Sequence, residues 1–477
     1  MAVIRTRARL LFALVASLLF WTTASAIDAG RCENARYESK PRLFVLTDIS
    51  NEPDAQMSLV RLLTHANELQ IEGISAVTSV WKNDSLDLDT IFWAIDGYAN
   101  VTENLNNNVP EAGTYPSAEE VATRVYAGHP VYGLAALDLE PSNASLALIN
   151  ATDASSEPLW VSAWGGTNVL AEALHYVQKS RSEEETAVFV EKLRVYSISD
   201  QDNAGPWIRA NFPSLFYIVS VHAFGEYNQA TWIAISSDVD TGGPDAAIVS
   251  NDWLQEHVRI GPLGSYYPDI AYIMEGDTPS FLGLLQNGLN APEHPEWGGW
   301  GGRYKLVDAS GLTCIYGNVA DLSEGKDGKA YFNQHASLWR WRTAFQYDFA
   351  ARMQWTVNAT DANHHPIAIV NDTCGVGPLE VQYRFGESVT LDASASYDPD
   401  GDDLDFNWFH YREAAQTVTK RDPLISPNVT FTNVDSSGSV VNVVVNSNTS
   451  AHIILAVQDS RPMNLTSYRR IILRPTA

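Results

Sequence analysis

Cysteine is almost missing from this 477-residue chain: Cys32, Cys314 and Cys374 are the whole supply. Three thiols allow at most one internal bridge and leave one sulfur over, and their spacing matches no zinc site. A Cys314–Cys374 bridge would pin a domain junction, although the sequence does not choose the pairing. Positive charge is also short. With 31 Lys+Arg against 57 Asp+Glu the formal charge is −26, which repels nucleic acid and anionic membranes. Neither is expected as a partner, whereas a neutral polysaccharide or a small neutral substrate meets no such repulsion. Past the first 26 residues no stretch is long and uncharged enough to span a bilayer.

What is present begins with a leader. In residues 1–26, MAVIRTRARLLFALVASLLFWTTASA, Arg5, Arg7 and Arg9 precede a short apolar core, and Ala24-Ser25-Ala26 is a small-residue cleavage site. The segment reads as a secretory signal peptide. Its removal takes away three arginines and no acids, so the formal charge becomes −29. Sequons at Asn83, Asn100, Asn143, Asn150, Asn358, Asn371, Asn428, Asn448 and Asn464 point the same way, to a secreted, extracellular glycoprotein.

Residues 41–356 alternate short β-type runs with helical patterns, as in an α/β domain with crossover helices. RLFVLT (42–47), EGISAVTS (72–79), LWVSAW (159–164), LRVYSIS (193–199) and LFYIVS (215–220) are nearly continuously apolar, as strands of a parallel sheet covered on both faces must be. Met57, Val60, Leu63 and Ala66 share one helical face, as do Leu170, Leu174 and Val177. Ser117 and Glu120 have capping-box spacing. A linker is expected over 357–378. From 379 to 477 short alternating runs predict a β-sandwich, with Trp408 in its core and SYDPDGDD (Asp398, Asp400, Asp402) as a turn rather than a calcium loop.

Four strand ends carry polar clusters. The run LFVLTDISNEPDAQMSLVRLL leaves its strand at Asp48 and adds Asn51, Glu52 and Asp54 at once. Carboxylates so crowded repel unless a cation or proton is shared; alternatively Asp48 or Asp54 only caps the next helix. In WVSAWGGTNVLAEAL, Trp164, two glycines and Asn168 form a strand–turn–helix junction. YSISDQDNAGPWIRANFP brings Asp200, Asp202, Asn203 and Trp207, and YIMEGDTPSFLGLL brings Glu275 and Asp277, where Asp277 is also a plausible cap. In α/β sheets, ligands bind beyond such carboxyl ends.

Together TDISNEPDAQMSLVRLL, SAWGGTNVLAEAL, SISDQDNAGPWIR, MEGDTPSFLGLLQNGL and PEWGGWGGRY resemble the secreted cellulose-binding proteins with a nucleoside-hydrolase-like domain. The match runs from about residue 41 to the end of the chain. The resemblance implies a mostly parallel sheet with flanking helices, followed by an immunoglobulin-like sandwich. It also implies a Ca²⁺ site in which Asp48 is ligand and general base, Asp54 a bidentate ligand, Trp164 a ligand through its carbonyl, and Asp277 the late aspartate. Two departures stand out. Leu46 replaces the first Asp of the superfamily's Asp-Thr-Asp-Pro-Gly-x-Asp-Asp pattern, and Gly276 precedes Asp277, so no late His-Asp pair exists.

Function is read in three ways. The first is a calcium-dependent glycosidase acting on cellulose or another plant cell-wall glycan, with Asp48 as base and Glu52, Glu226 or Glu275 as acid. The second is a non-catalytic cellulose-binding protein, and the third an N-ribosyl hydrolase. Sugar-facing residues are expected at Asn51, Asn168, Asp200, Asp202 and Asn203. Tryptophans are expected beside them at Trp207, Trp232, Trp297 and Trp300, because indole faces stack on sugar C–H faces.

Overall fold

The computed structural model describes residues 29–415 and 426–476; the expected signal peptide, 1–26, lies outside them. Eight strands form the central sheet: β1 (Arg42–Thr47), β2 (Gln70–Ala76), β3 (Val125–Ala127), β4 (Leu159–Ala163), β5 (Leu193–Ser197), β6 (Phe216–Val219), β7 (Tyr304–Leu306) and β8 (Ile315–Asn318). Their spatial order is β3-β2-β1-β4-β5-β6-β8-β7. Every neighbouring pair is parallel except β7–β8. The five expected strands are all there, at its centre.

All six residues of β1 are buried. Alternation assigns them to two cores. Leu43 and Val45 pack with helices Pro53–Thr64, Asp89–Ala99 and Arg342–Val357 on one face. Phe44 and Leu46 pack with helices Asn143–Asp153, Asn168–Ser180 and Ala204–Asn211 on the other. The Ser117–Glu120 capping box is formed.

A hairpin, β9 (Asp321–Glu324) and β10 (Ala330–Asn333), follows the sheet. After helix Arg342–Val357 come β11 (Leu379–Tyr383), β12 (Ser388–Asp392), β13 (Leu404–His410), β14 (Val429–Asn433), β15 (Val440–Val445), β16 (Ala451–Asp459) and β17 (Thr466–Pro475). They form a sandwich of two sheets, β11-β17-β16-β13 and β12-β15-β14, closed on Leu391, Val443, Leu455 and Ile471 with Trp408 packed against them. The Asp398 cluster is a turn. Asp398 accepts the backbone N–H of Asp400 and Asp402, Asp400 holds His364, and Asp402 holds Arg461.

The disulfide joins Cys32 to Cys374 and leaves Cys314 free, which settles the pairing that the sequence left open. It ties the segment before β1 to the sandwich, where Tyr397 also donates to Glu33. His365 belongs to the same junction. Its Nε2–H donates to Asp348 at 2.6 Å, and His65, Arg36 and Arg352 stand around it. Burial pushes its pKa down to about 4. The unfolded chain therefore takes up this proton first, so stability present above about pH 6.5 drains away as pH falls toward 4, by at most about 3 kcal/mol. Urea midpoints of wild type and His365→Gln should converge across that window; a pH-independent offset would contradict the assignment.

Candidate functional site

The site lies at the carboxyl ends of β1 and β4. Asp48 follows β1 directly and is 6% exposed. The loop then turns through Ser50 at φ 72°, a left-handed conformation that costs a non-glycine residue energy. Lys82 pins it, its Nζ donating to the Ile49 carbonyl and Ser50 Oγ at 2.7 Å each. Pro53 opens the next helix and sets Asp54 in its first turn. The second acidic loop has the same kind of strain, with Glu275 at φ 57° two residues before Asp277.

The Gly-Gly turn has a steric reason. After β4, the N–H groups of Trp164 and Gly165 both donate to the Leu46 carbonyl. A Cβ on Gly165 would lie 2.8 Å from Asp48 Cβ and 3.0 Å from its backbone nitrogen. Gly165→Ala is therefore expected to displace Asp48 and cost about 1–3 kcal/mol, read as a lower denaturation midpoint; an unchanged midpoint would show that the turn yields freely. Gly276 works similarly, since a Cβ there would sit 2.8 Å from Asp54 Oδ2.

Asp48, Glu52, Asp54 and Asp277 line one pocket of about 390 Å³, with Trp164 and Gln201 beside them. Burial, only partly offset by a hydrogen bond from Ser79, raises Asp48 to about 6. Burial together with Asp48 and Glu52 raises Asp54 to about 7. Burial, then Asp54 and Asp48, pushes Asp277 well above the carboxylate range. Burial also raises Glu52. Asp277 Oδ2 is buried without a hydrogen-bond partner. Three crowded, desolvated carboxylates with an orphaned oxygen have the donor chemistry of a hard divalent cation such as Ca²⁺. Their spacing is wider than a closed ligand shell: among the described residues Asp398, Asp400 and Asp402 are the one group of three whose ligand oxygens all lie within 4.8 Å of one another.

Of the expected site residues, Asp48, Asn51, Glu52, Asp54, Trp164, Trp232 and Asp277 meet at the pocket. The Trp164 carbonyl already accepts a hydrogen bond from Gln201 Nε2, which leaves it one lone pair. The remaining residues do structural work elsewhere. Glu275 is fully buried, paired with Arg61 at 2.7 Å and bonded by the Tyr267 hydroxyl. Asn168 is buried, donating to Thr78 and the Val131 carbonyl. Asp200 takes both nitrogens of Arg209. Asp202 caps helix Ala204–Asn211, and Asn203 accepts from the Leu134 N–H. Trp207 packs on His175 and Phe212. Trp297 stacks on His294 and meets His452 of the sandwich, and Trp300 is buried against Phe345 and Tyr468. Glu226 is exposed and outside the pocket lining. Gln201, Tyr227 and Tyr272 line the pocket unanticipated.

The description "Cellulose-binding Sde182, nucleoside hydrolase-like domain" matches residues 42–304, and "Cellulose-binding protein Sde0182, C-terminal domain" matches residues 388–475. Among solved structures the chain is similar to a nucleoside hydrolase-related hypothetical protein from Saccharophagus degradans that is associated with carbohydrate metabolism. The two are 31% identical over 92% of this chain and 100% of that one, with a TM-score of 0.74. An inosine-uridine preferring nucleoside hydrolase from Bacillus anthracis aligns at 12% identity over 67% of this chain and 100% of that one, with a TM-score of 0.34. No curated protein matches the chain.

Proposed function

The chain belongs to the cellulose-binding Sde182 family, with that family's nucleoside hydrolase-like domain and C-terminal domain, and from that premise we propose a secreted, calcium-dependent hydrolase of glycosyl bonds. Its substrate would be cellulose or another plant cell-wall glycan. The observation that carries the reading is the pocket in which Asp48, Asp54 and Asp277 are brought together and raised by burial and mutual repulsion.

Asp48, Asp54 and Asp277 would hold the calcium. When bound, it supplies Lewis acidity and a grip on sugar hydroxyls. Asp48 takes the proton of the attacking water, for which a carboxylate held near neutrality is well matched. Glu52, which lines the same pocket, is the acid that protonates the leaving oxygen, in place of the buried Glu275. The neighbouring carboxylates stabilise the positive charge that develops on the sugar ring.

A second reading, a non-catalytic cellulose-binding protein, is favoured by two details. Leu46 is buried among apolar side chains where the superfamily pattern has an aspartate, and the three carboxylates stand wider than a closed shell. Incubation with cell-wall polysaccharides and with nucleosides, with and without chelator, separates the readings. Reducing ends that appear on a glycan and vanish with chelator support the hydrolase. Retention on insoluble cellulose without cleavage of any bond supports the binder, and release of free base from nucleosides overturns both.

A further inference from the structure

We infer that the pocket receives the end of an uncharged glycan chain, and that the units behind it lie along an aromatic ladder of Trp232, Tyr227, Trp81 and Phe224. The inference rests on the glycosidase reading only for the position of the reacting bond. Trp232, 6% exposed, meets Tyr227 edge-on with ring centroids 5.7 Å apart. Tyr227 lies 6.3 Å from Trp81, whose indole N–H donates to its hydroxyl at 3.0 Å. Phe224 stacks on Trp81 at 5.5 Å and 24°. Exposure rises along the series, to 48% at Trp81 and 69% at Phe224. The outer rings are thus held by one another and by a hydrogen bond, not by a core.

Two water-facing rings, Trp81 and Phe224, continuous with the half-buried Tyr227 and the buried Trp232, mark a surface that something covers. The row leads into the pocket that holds Asp48, which selects the occupant. Aromatic faces suit the C–H faces of sugar rings, while polar groups at the pocket, Asn51, Glu52 and Gln201, suit hydroxyls. A pocket of about 390 Å³, lined in part by Trp232, Tyr227 and Trp81 themselves, is near the lower end of the ~300–1,000 Å³ usual for small-molecule sites, so it accepts a chain end and leaves further units to pass outward over Trp81 to Phe224. A nucleoside would leave the outer rings bare. An acidic glycan would meet a chain of formal charge −26.

Calorimetry with full-length Asp48→Asn protein tests this, using cello-, manno- and xylo-oligosaccharides from one to four units. For one series, affinity should climb about tenfold with each unit added beyond the first. Trp81→Ala, at the pocket lining, or Phe224→Ala, beyond it, in the same background should weaken the tetramer about tenfold, and Phe224→Ala should leave the monomer unchanged. Affinity independent of length, or tetramer binding indifferent to both substitutions, overturns the ladder while monosaccharide binding and cleavage by wild type leave the hydrolase reading standing. Ladder-dependent binding with no cleavage by wild type does the reverse. No binding in any series overturns the ladder.

Discussion

Asp48→Asn is expected to lower glycan hydrolysis by about 10²–10⁴-fold, the usual worth of a positioned general base, and to make the calcium-free protein more stable rather than less. The two effects have one cause. Asp48 is raised from 3.8 to about 6 because burial disfavours its charge. In the calcium-free state the stability tied to this group is fully present below about pH 4 and is lost as pH rises through about 6. At pH 7 the loss amounts to about 3 kcal/mol. Asparagine keeps the shape and discards the charge, so it recovers part of that loss. The test pairs turnover with thermal denaturation at pH 7 in chelator. A variant that turns over normally, or unfolds at lower temperature than wild type in chelator, contradicts the role given to Asp48.

The same balance predicts how calcium acts. A cation at 100 times its dissociation constant stabilises by about 2.7 kcal/mol. Because protons compete for the same carboxylates, that gain should shrink as pH falls through the values of about 7 and 6 at Asp54 and Asp48. Wild-type melting temperatures with calcium and with chelator should therefore separate widely at pH 7.5 and close together near pH 4.5. An equal separation at both would place the ion elsewhere.

The sheet was legible because a strand buried on both faces has to be nearly continuously apolar, and β1, β4, β5 and β6 are, with Arg42, Thr47, Ser162, Arg194 and Ser197 the exceptions. β3 and β7 were not, since three residues at a sheet edge carry no period. Asp48 and Asp54 announced themselves as acids just past an apolar strand. The same rule misled at Asp200 and Asp202, because an acid at a strand end can equally pair an arginine or cap a helix, and nothing in SDQDN shows that Gln201 is the member facing the pocket. Trp300 was misjudged for a related reason. It was expected to face a sugar, but the glycines around it let the backbone press against Gly283 and Pro279 and bury the ring. The disulfide was illegible for a simpler reason, 342 residues of separation.

Arg352→Met is expected to be the most destabilising single substitution argued from the structure, at about 3–5 kcal/mol. Arg352 is fully buried and pairs with both Glu68 and Asp348. It also donates to the Thr64 carbonyl at 3.0 Å and to Asn67 at 3.1 Å, beneath the Trp355 ring. Burial works against the charge on every member. The guanidinium nevertheless holds Asp348 well below the usual carboxylate range, and Arg36 and then Arg352 lower Glu68, while the two carboxylates raise Arg352 in turn. Methionine would fill much of the volume and leave two buried anions with only Arg36 at 3.2 Å from Glu68 and two histidines on Asp348. The consequence reaches the site, because Thr64 and His65 end the helix whose first turn holds Asp54. Removing a carboxylate together with the guanidinium should cost less than the two changes taken separately, since a charge left alone is the expensive state. Denaturation of Arg352→Met, Glu68→Gln and the double variant forms the cycle. A loss below about 1 kcal/mol for Arg352→Met, or strict additivity in the double variant, would mean that water reaches this junction and shields it.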